Sequence, residues 1–262
     1  MSRLRAFLAA SLLALALPAA ANANLSDTWW NPQESGSGLQ LVQQGETAFV
    51  TLYTYGSNNE PLWFVAPDAH IFAISGSNGL PSFRGTLYRA RGTAFSDAYK
   101  PGDTQVIPVG EIFLTATADN ALEVEYTVNN VTVTKSLVRQ TLSMPSGGPF
   151  FAGTFTLRQS QSDGGTPFGT REYNADFLLF VDGDNTAVLR VSDAVNGLCQ
   201  YSGPYTQAGR YGAFAGSYSC ESGESGTFSV KQLEFTESGV TAVFNTTGRD
   251  GFGRGRFGAV RR

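Results

Sequence analysis

An all-β fold divided into two small antiparallel domains, each barrel- or sandwich-like with up-and-down strands, is what this sequence predicts. Three observations carry that expectation. Short runs rich in Val, Thr, Phe and Tyr alternate with clusters of Gly, Asn, Asp and Pro from Gly38 onward, which is a rhythm of strands and turns. The composition agrees: 30 Gly, 11 Pro and 12% aromatic residues suit short strands broken by turns better than helices. The third is the stretch Ser143-Met-Pro-Ser-Gly-Gly-Pro149, where Pro and Gly deny regular pairing, so that it reads as a linker between halves of similar size.

The first 23 residues have the layout of a secretory signal: Arg3 and Arg5, an apolar run from Ala6 to about Leu17, and Ala21-Asn22-Ala23 at the cleavage positions. Cleavage is expected after Ala23, delivering the chain to the periplasm or the medium. The apolar run is shorter than the roughly 20 residues of a membrane span, and no transmembrane helix is expected elsewhere. Loss of the signal removes two arginines and no acid, so the formal charge moves from -4 to -6. Such a chain is a poor partner for nucleic acid.

The expected domains are 24-142, rich in Trp, and 150-262, joined by 143-149. In the first, strands are expected near 38-44, 47-55, 62-66, 69-75, 83-91, 105-118, 121-128 and 131-141. The clearest hairpin joins Leu122-Val128 to Val131-Lys135 through Asn129-Asn130, because Asn tolerates the positive φ of a two-residue type I′ turn. That register pairs Val128 with Val131, Tyr126 with Val133, Val124 with Lys135 and Leu122 with Leu137. One face is then dry, while Glu123, Glu125, Thr132 and Thr134 share a wet one. The second domain gives strands near 150-158, 173-181, 186-192, 198-204, 211-220, 226-235, 239-246 and 252-260. Eight sequential strands per half suit a closed barrel of lipocalin- or avidin-like size, since closure removes sheet edges. A single larger barrel is the alternative, and an outer-membrane barrel is disfavoured because many strands fall short of the 9 to 11 residues it needs. Cys199 and Cys220, an even pair in an exported chain, are expected to form a disulfide.

The mature chain opens with Asp27-Thr-Trp-Trp-Asn-Pro-Gln-Glu-Ser-Gly-Ser-Gly38, continues to Gln44-Gly45, and carries Tyr53-Thr-Tyr-Gly56 and Pro61-Leu-Trp-Phe-Val65. These segments resemble a module that recurs in secreted proteobacterial β-rich proteins, with a Trp-aromatic-Asn/Asp-Pro-x-x-x-Gly-x-Gly opening. The segments around Cys199 and Gly216-Cys220 are similar to ones that accompany it. The resemblance implies secretion and β structure, and brings no catalytic residues with it.

Within 47-55, Ala48, Val50 and Leu52 point one way and Phe49, Tyr53 and Tyr55 the other, so both faces are largely apolar. Trp63 and Val65 oppose Leu62, Phe64 and Ala66 in the next strand. One set fills a barrel. The other either packs beneath the Trp-Trp segment or against the second half, or lines a ligand site. As a site, Trp30, Tyr53, Tyr55 and Trp63 would stack on a sugar, lipid or apolar molecule, with Asn31 and Glu34 as polar contacts. Gly36 and Gly38 serve a turn or bulge.

Catalytic patterns are weak. His70 is the only histidine, and Asp68-Ala-His70 makes no triad by spacing. Glu34, Asp176, Asp182 and Asp184 could furnish paired carboxylates, although Asp182-Gly-Asp-Asn185 reads first as a turn and only then as a calcium loop. Lys135 sits on the apolar hairpin face, either as a depressed-pKa base or, more simply, snorkelling from a strand end. Arg254 and Arg256, with Arg249, Arg261 and Arg262 nearby, either grip a polyanion or form a solvated closing strand. No cofactor and no metal is implied. The expectation is a non-enzymatic binding module for an extracellular glycan, lipid or envelope component. The alternatives are a carboxylate-dependent hydrolase of an extracellular polymer and a structural envelope protein.

Overall fold

The computed structural model describes residues 24-75, 79-142, 150-160, 170-194, 196-236, 239-248 and 251-261, with the backbone alone at 150-160, 170-174, 193 and 261. The expected signal (1-23) and linker (143-149) lie outside the described residues.

The chain is all-β and forms two closed antiparallel barrels of eight strands each. The first contains β1 (Asp27–Trp30), β2 (Gly38–Gln44), β3 (Thr47–Tyr55), β4 (Pro61–Ile74), β5 (Pro81–Arg91), β6 (Gln105–Ala118), β7 (Ala121–Val128) and β8 (Val131–Arg139). Strand order follows the sequence, and β1 closes on β8 through Trp29↔Arg139 and Trp30↔Val138. The second contains β9 (Phe150–Ser160), β10 (Thr170–Val181), β11 (Thr186–Asp193), β12 (Gly197–Ala208), β13 (Tyr211–Cys220), β14 (Ser225–Phe235), β15 (Gly239–Gly248) and β16 (Gly251–Arg261). Here β16 closes on β9.

Two expectations about strands need correction. Asp27–Trp30 is a strand that the sequence rhythm starting at Gly38 did not include, and the strands expected at 62-66 and 69-75 are one, β4. Pro67 and Asp68 look like breakers, yet the ladder absorbs them: Val50 pairs with Ala66 and Ala48 with Ala69, so β4 carries one extra residue as a bulge. The Asn129-Asn130 hairpin has the expected register from Val128↔Val131 to Leu122↔Leu137, and both Asn residues have positive φ, 49° and 65°. Asp182-Gly-Asp-Asn185 is a hairpin turn, closed by Asn185 N–H donating to the Asp182 carbonyl at 3.0 Å.

Side chains of alternating strand positions fill each barrel. Trp29, Leu39, Leu41, Phe83, Ile112 and Leu114 are among those almost fully buried in the first, and Phe177, Leu179, Leu189 and Leu233 in the second. Outward positions such as Glu111, Glu123, Glu125, Thr132 and Thr134 are exposed and polar. The interiors are apolar, where a membrane-spanning barrel has a polar one, and the outside mixes these polar positions with exposed apolar ones such as Val42, Phe49, Trp63 and Phe72. No helix of the described residues is long and apolar enough to cross a membrane.

Cys199 and Cys220 are disulfide-bonded, with S–S 1.97 Å. They are cross-strand partners on β12 and β13, and Glu221 N–H donates to the Leu198 carbonyl beside them. That pattern makes them a non-hydrogen-bonded pair, the antiparallel position where side chains come closest.

Candidate functional site

The Trp-rich opening does two things at once on the first barrel, and alternation along β1 separates them. Trp29 points inward, fully buried, and its indole N–H donates to the Leu25 carbonyl at 2.9 Å. Trp30 points outward. Its register partner on β2 is Gly38, Gly38 pairs with Tyr53 on β3, and Tyr53 pairs with Trp63 on β4. Trp30, Gly38, Tyr53 and Trp63 therefore form one straight row across four adjoining strands on the outside of the barrel.

Gly38 has a packing reason. A Cβ there would collide with the Trp29 carbonyl oxygen and stand 2.8 Å from the Tyr53 hydroxyl, so the Tyr53 ring lies across a position that only glycine leaves open. Gly36 does the same for the Tyr55 hydroxyl, at a φ of +90°. Burial raises the Tyr53 phenol pKa above its ordinary value, in keeping with a ring seated half into the surface. Trp63 and Tyr55 are 52% and 51% exposed, so no element among the described residues covers these two rings. Tyr88 on β5, register partner of Val65, extends the aromatic face by one strand. Sequence periodicity could not place it, because a bulge follows Val65 in the β4–β5 ladder.

The two expected polar contacts have other employment. Asn31 folds the β1–β2 loop by accepting the Gln33 N–H at 3.0 Å on its side-chain oxygen and donating to Glu34 Oε1 at 3.3 Å. Glu34 Oε2 accepts a hydrogen bond from Lys135 Nζ at 2.5 Å. Lys135 thus reaches from the inner face of β8 to the barrel mouth, the snorkelling geometry, and meets a carboxylate on the loop that crosses it. Beneath this pair lies a cavity of about 20 Å³, lined by Leu52, Val124, Tyr126 and Leu137 among others. That is room for about one water molecule. The loop plugs this mouth, and the aromatic row lies on the outside of the barrel.

Other expected chemistry does not converge. His70 Nε2 is 2.9 Å from Asp68 Oδ1, and Nδ1 is 3.3 Å from Thr47 Oγ1. This His stands on the open outer surface with 60% of its side chain exposed, where no cleft excludes water from a developing oxyanion. Glu34 belongs to the first barrel, while Asp176 is on an outer position of β10 and Asp182 and Asp184 are in an exposed turn of the second. Among the described residues no group of three or more His, Cys, Asp or Glu could hold a metal ion.

The barrels meet at a seam. The Arg139 guanidinium donates to Asp27 Oδ2 at 3.0 Å and to the Asp119 and Asn24 carbonyls at 2.7 and 3.0 Å. It stacks between Trp29, 4.4 Å from the ring centre, and Tyr211 of the second barrel, at 4.7 Å. Arg210 N–H donates to the same Asp27 oxygen at 3.1 Å.

The arrangement defines a class, a tandem of filled eight-stranded β-barrels with an aromatic outer face. Comparison with family models, curated proteins and solved structures found no match to the chain.

Proposed function

We propose that this chain is a non-enzymatic, exported binding module that recognises an extended extracellular glycan on the outside of its first barrel. The observation that carries this reading is the cross-strand row Trp30–Gly38–Tyr53–Trp63, flanked by the exposed Tyr55. Aromatic rings offer flat apolar faces and, for Tyr and Trp, a polar edge, which suits sugar rings with their apolar faces and peripheral hydroxyls. A lipid tail or compact apolar ligand needs an enclosing pocket. The face is convex, and the barrel mouth holds only about 20 Å³, so an extended chain lying along the row is the better partner. The disulfide is compatible with export through the expected signal.

Retention of the protein on insoluble polysaccharides tests this directly. The wild type is expected to be held by at least one neutral glycan. Trp63→Ala and Tyr55→Ala should each weaken retention by about tenfold, the equivalent of about 1.4 kcal/mol per ring. Unchanged retention in both variants, or none by the wild type across the panel, would discard the proposal. Filled barrels also favour a second reading, a structural envelope protein without a small ligand, and the same wild-type failure would point to it.

A further inference from the structure

The outer face of the second barrel is built from different chemistry. On β14, β15 and β16 the outward positions form two register rows, Ser229–Asn245–Arg254 and Lys231–Val243–Arg256. Lys231, Arg254 and Arg256 are exposed, and none of them makes an ion pair among the described residues. Glu234 is the only acid on the three strands, and it is engaged by Arg210 at 3.4 Å. A chain with formal charge -4 thus carries these three cations and a single, already engaged acid on these three strands.

A second, independent feature concerns register. The β9–β16 ladder sets Arg158 opposite Arg254 in register; the positions beside Arg254 and Arg256 on β9 and β15 are Thr156, Ser160, Val243, Asn245 and Thr247, none acidic, and Glu172 of β10, the register partner of Thr156, lies two strand spacings from Arg256. Phe252, on the same outward face and two residues from Arg254, is 44% exposed. It adds a flat apolar surface next to the arginines.

From this we propose a second binding site on the outer face of β14–β16, for the carboxylate or phosphate groups of an anionic polymer. Arg254 and Arg256 are roughly 7 Å apart along the strand, and Lys231 is roughly 10 Å from Arg256 across two strand spacings. A compact single anion could not satisfy all three, whereas successive charges on a chain could. Guanidinium forks suit both carboxylate and phosphate through paired hydrogen bonds. The site does not depend on the glycan reading of the first barrel.

The test measures binding of the disulfide-intact chain to poly-L-glutamate, to inorganic polyphosphate and to the uncharged polymer polyethylene glycol, none of them a glycan, at low and high salt. Wild type is expected to bind at least one of the polyanions, more weakly as salt screens the exposed charges. The better of the two identifies carboxylate or phosphate as the group recognised. Arg254→Gln with Arg256→Gln should lose at least tenfold and Lys231→Gln a smaller factor, while Thr134→Ala, exposed on the outside of the first barrel, binds the polyanion as wild type does. Because the two arginines are exposed and without ion pairs, the double variant should melt no lower than wild type, and added polyanion should raise only the wild-type melting temperature. Failure of both polyanions to bind wild type, binding equal to polyethylene glycol, or undiminished binding by the double variant and by Lys231→Gln would overturn the site.

Discussion

Arg139 carries its charge where only 4% of its surface meets solvent. Burial lowers its pKa, and the hydrogen bond and charge of Asp27 work against that shift. Its side chain joins both barrels, so Arg139→Ala would leave the Asp27 carboxylate, 9% exposed, facing an emptied seam. The expected loss is about 3–5 kcal/mol by denaturant unfolding. Arg139→Lys should recover little, since an ammonium can neither fork to several acceptors nor stack between Trp29 and Tyr211. An Ala variant as stable as wild type would show that the seam contributes nothing. Tyr205 makes a pH prediction. Burial pushes its phenol up to about 12 from an ordinary 10.0, so the fold prefers the neutral form. Its contribution is complete below about pH 10 and is lost as pH rises through about 12. Tyr205→Phe, which cannot ionise, should therefore melt with less alkaline destabilisation than wild type between those limits. At this scale the sequence placed Lys135 correctly on the apolar face but could not name Glu34, 101 residues away, because their meeting depends on barrel closure.

The strands were mostly readable because each buries one face, and a period of two leaves a mark on residue choice. The Asn129-Asn130 hairpin was legible to the residue, since its turn fixes its register. β1 was not, because four residues are too few for a period and the inward turn of Trp29 is decided by pairing with both β2 and β8. β4 hid as two strands, because Pro67 and Asp68 ordinarily end strands and here occupy a bulge. The Cys199–Cys220 bridge staples β12 to β13 across 21 residues of separation. Replacing both by Ser should cost about 3 kcal/mol, a figure from the loop-entropy view of disulfides, and the loss should appear in unfolding of the second barrel. Chemical denaturation of the reduced and oxidised wild type provides the check, with coincident curves as the contrary result.

Across the whole molecule, both proposed sites lie on the outsides of barrels with filled interiors, and the two outsides differ. The first presents Trp30, Tyr53, Tyr55 and Trp63, and the second presents Lys231, Arg254 and Arg256. The aromatic types of the first site stood out in the sequence because strand 47-55 has apolar residues on both faces. Their assembly into one row did not, since it runs through Gly38, which has no side chain to signal its place. Asn31 and Glu34 were legible as polar neighbours, and only the closed barrel shows the bonds by which they fasten the loop. The most direct measurement follows the three tryptophan indole N–H resonances while a retained glycan is titrated into the isotopically labelled protein. Binding on the outer row should move the Trp30 and Trp63 signals and leave Trp29, buried and bonded to the Leu25 carbonyl, in place. A glycan that binds without moving Trp30 or Trp63, or that moves Trp29 instead, would contradict the account.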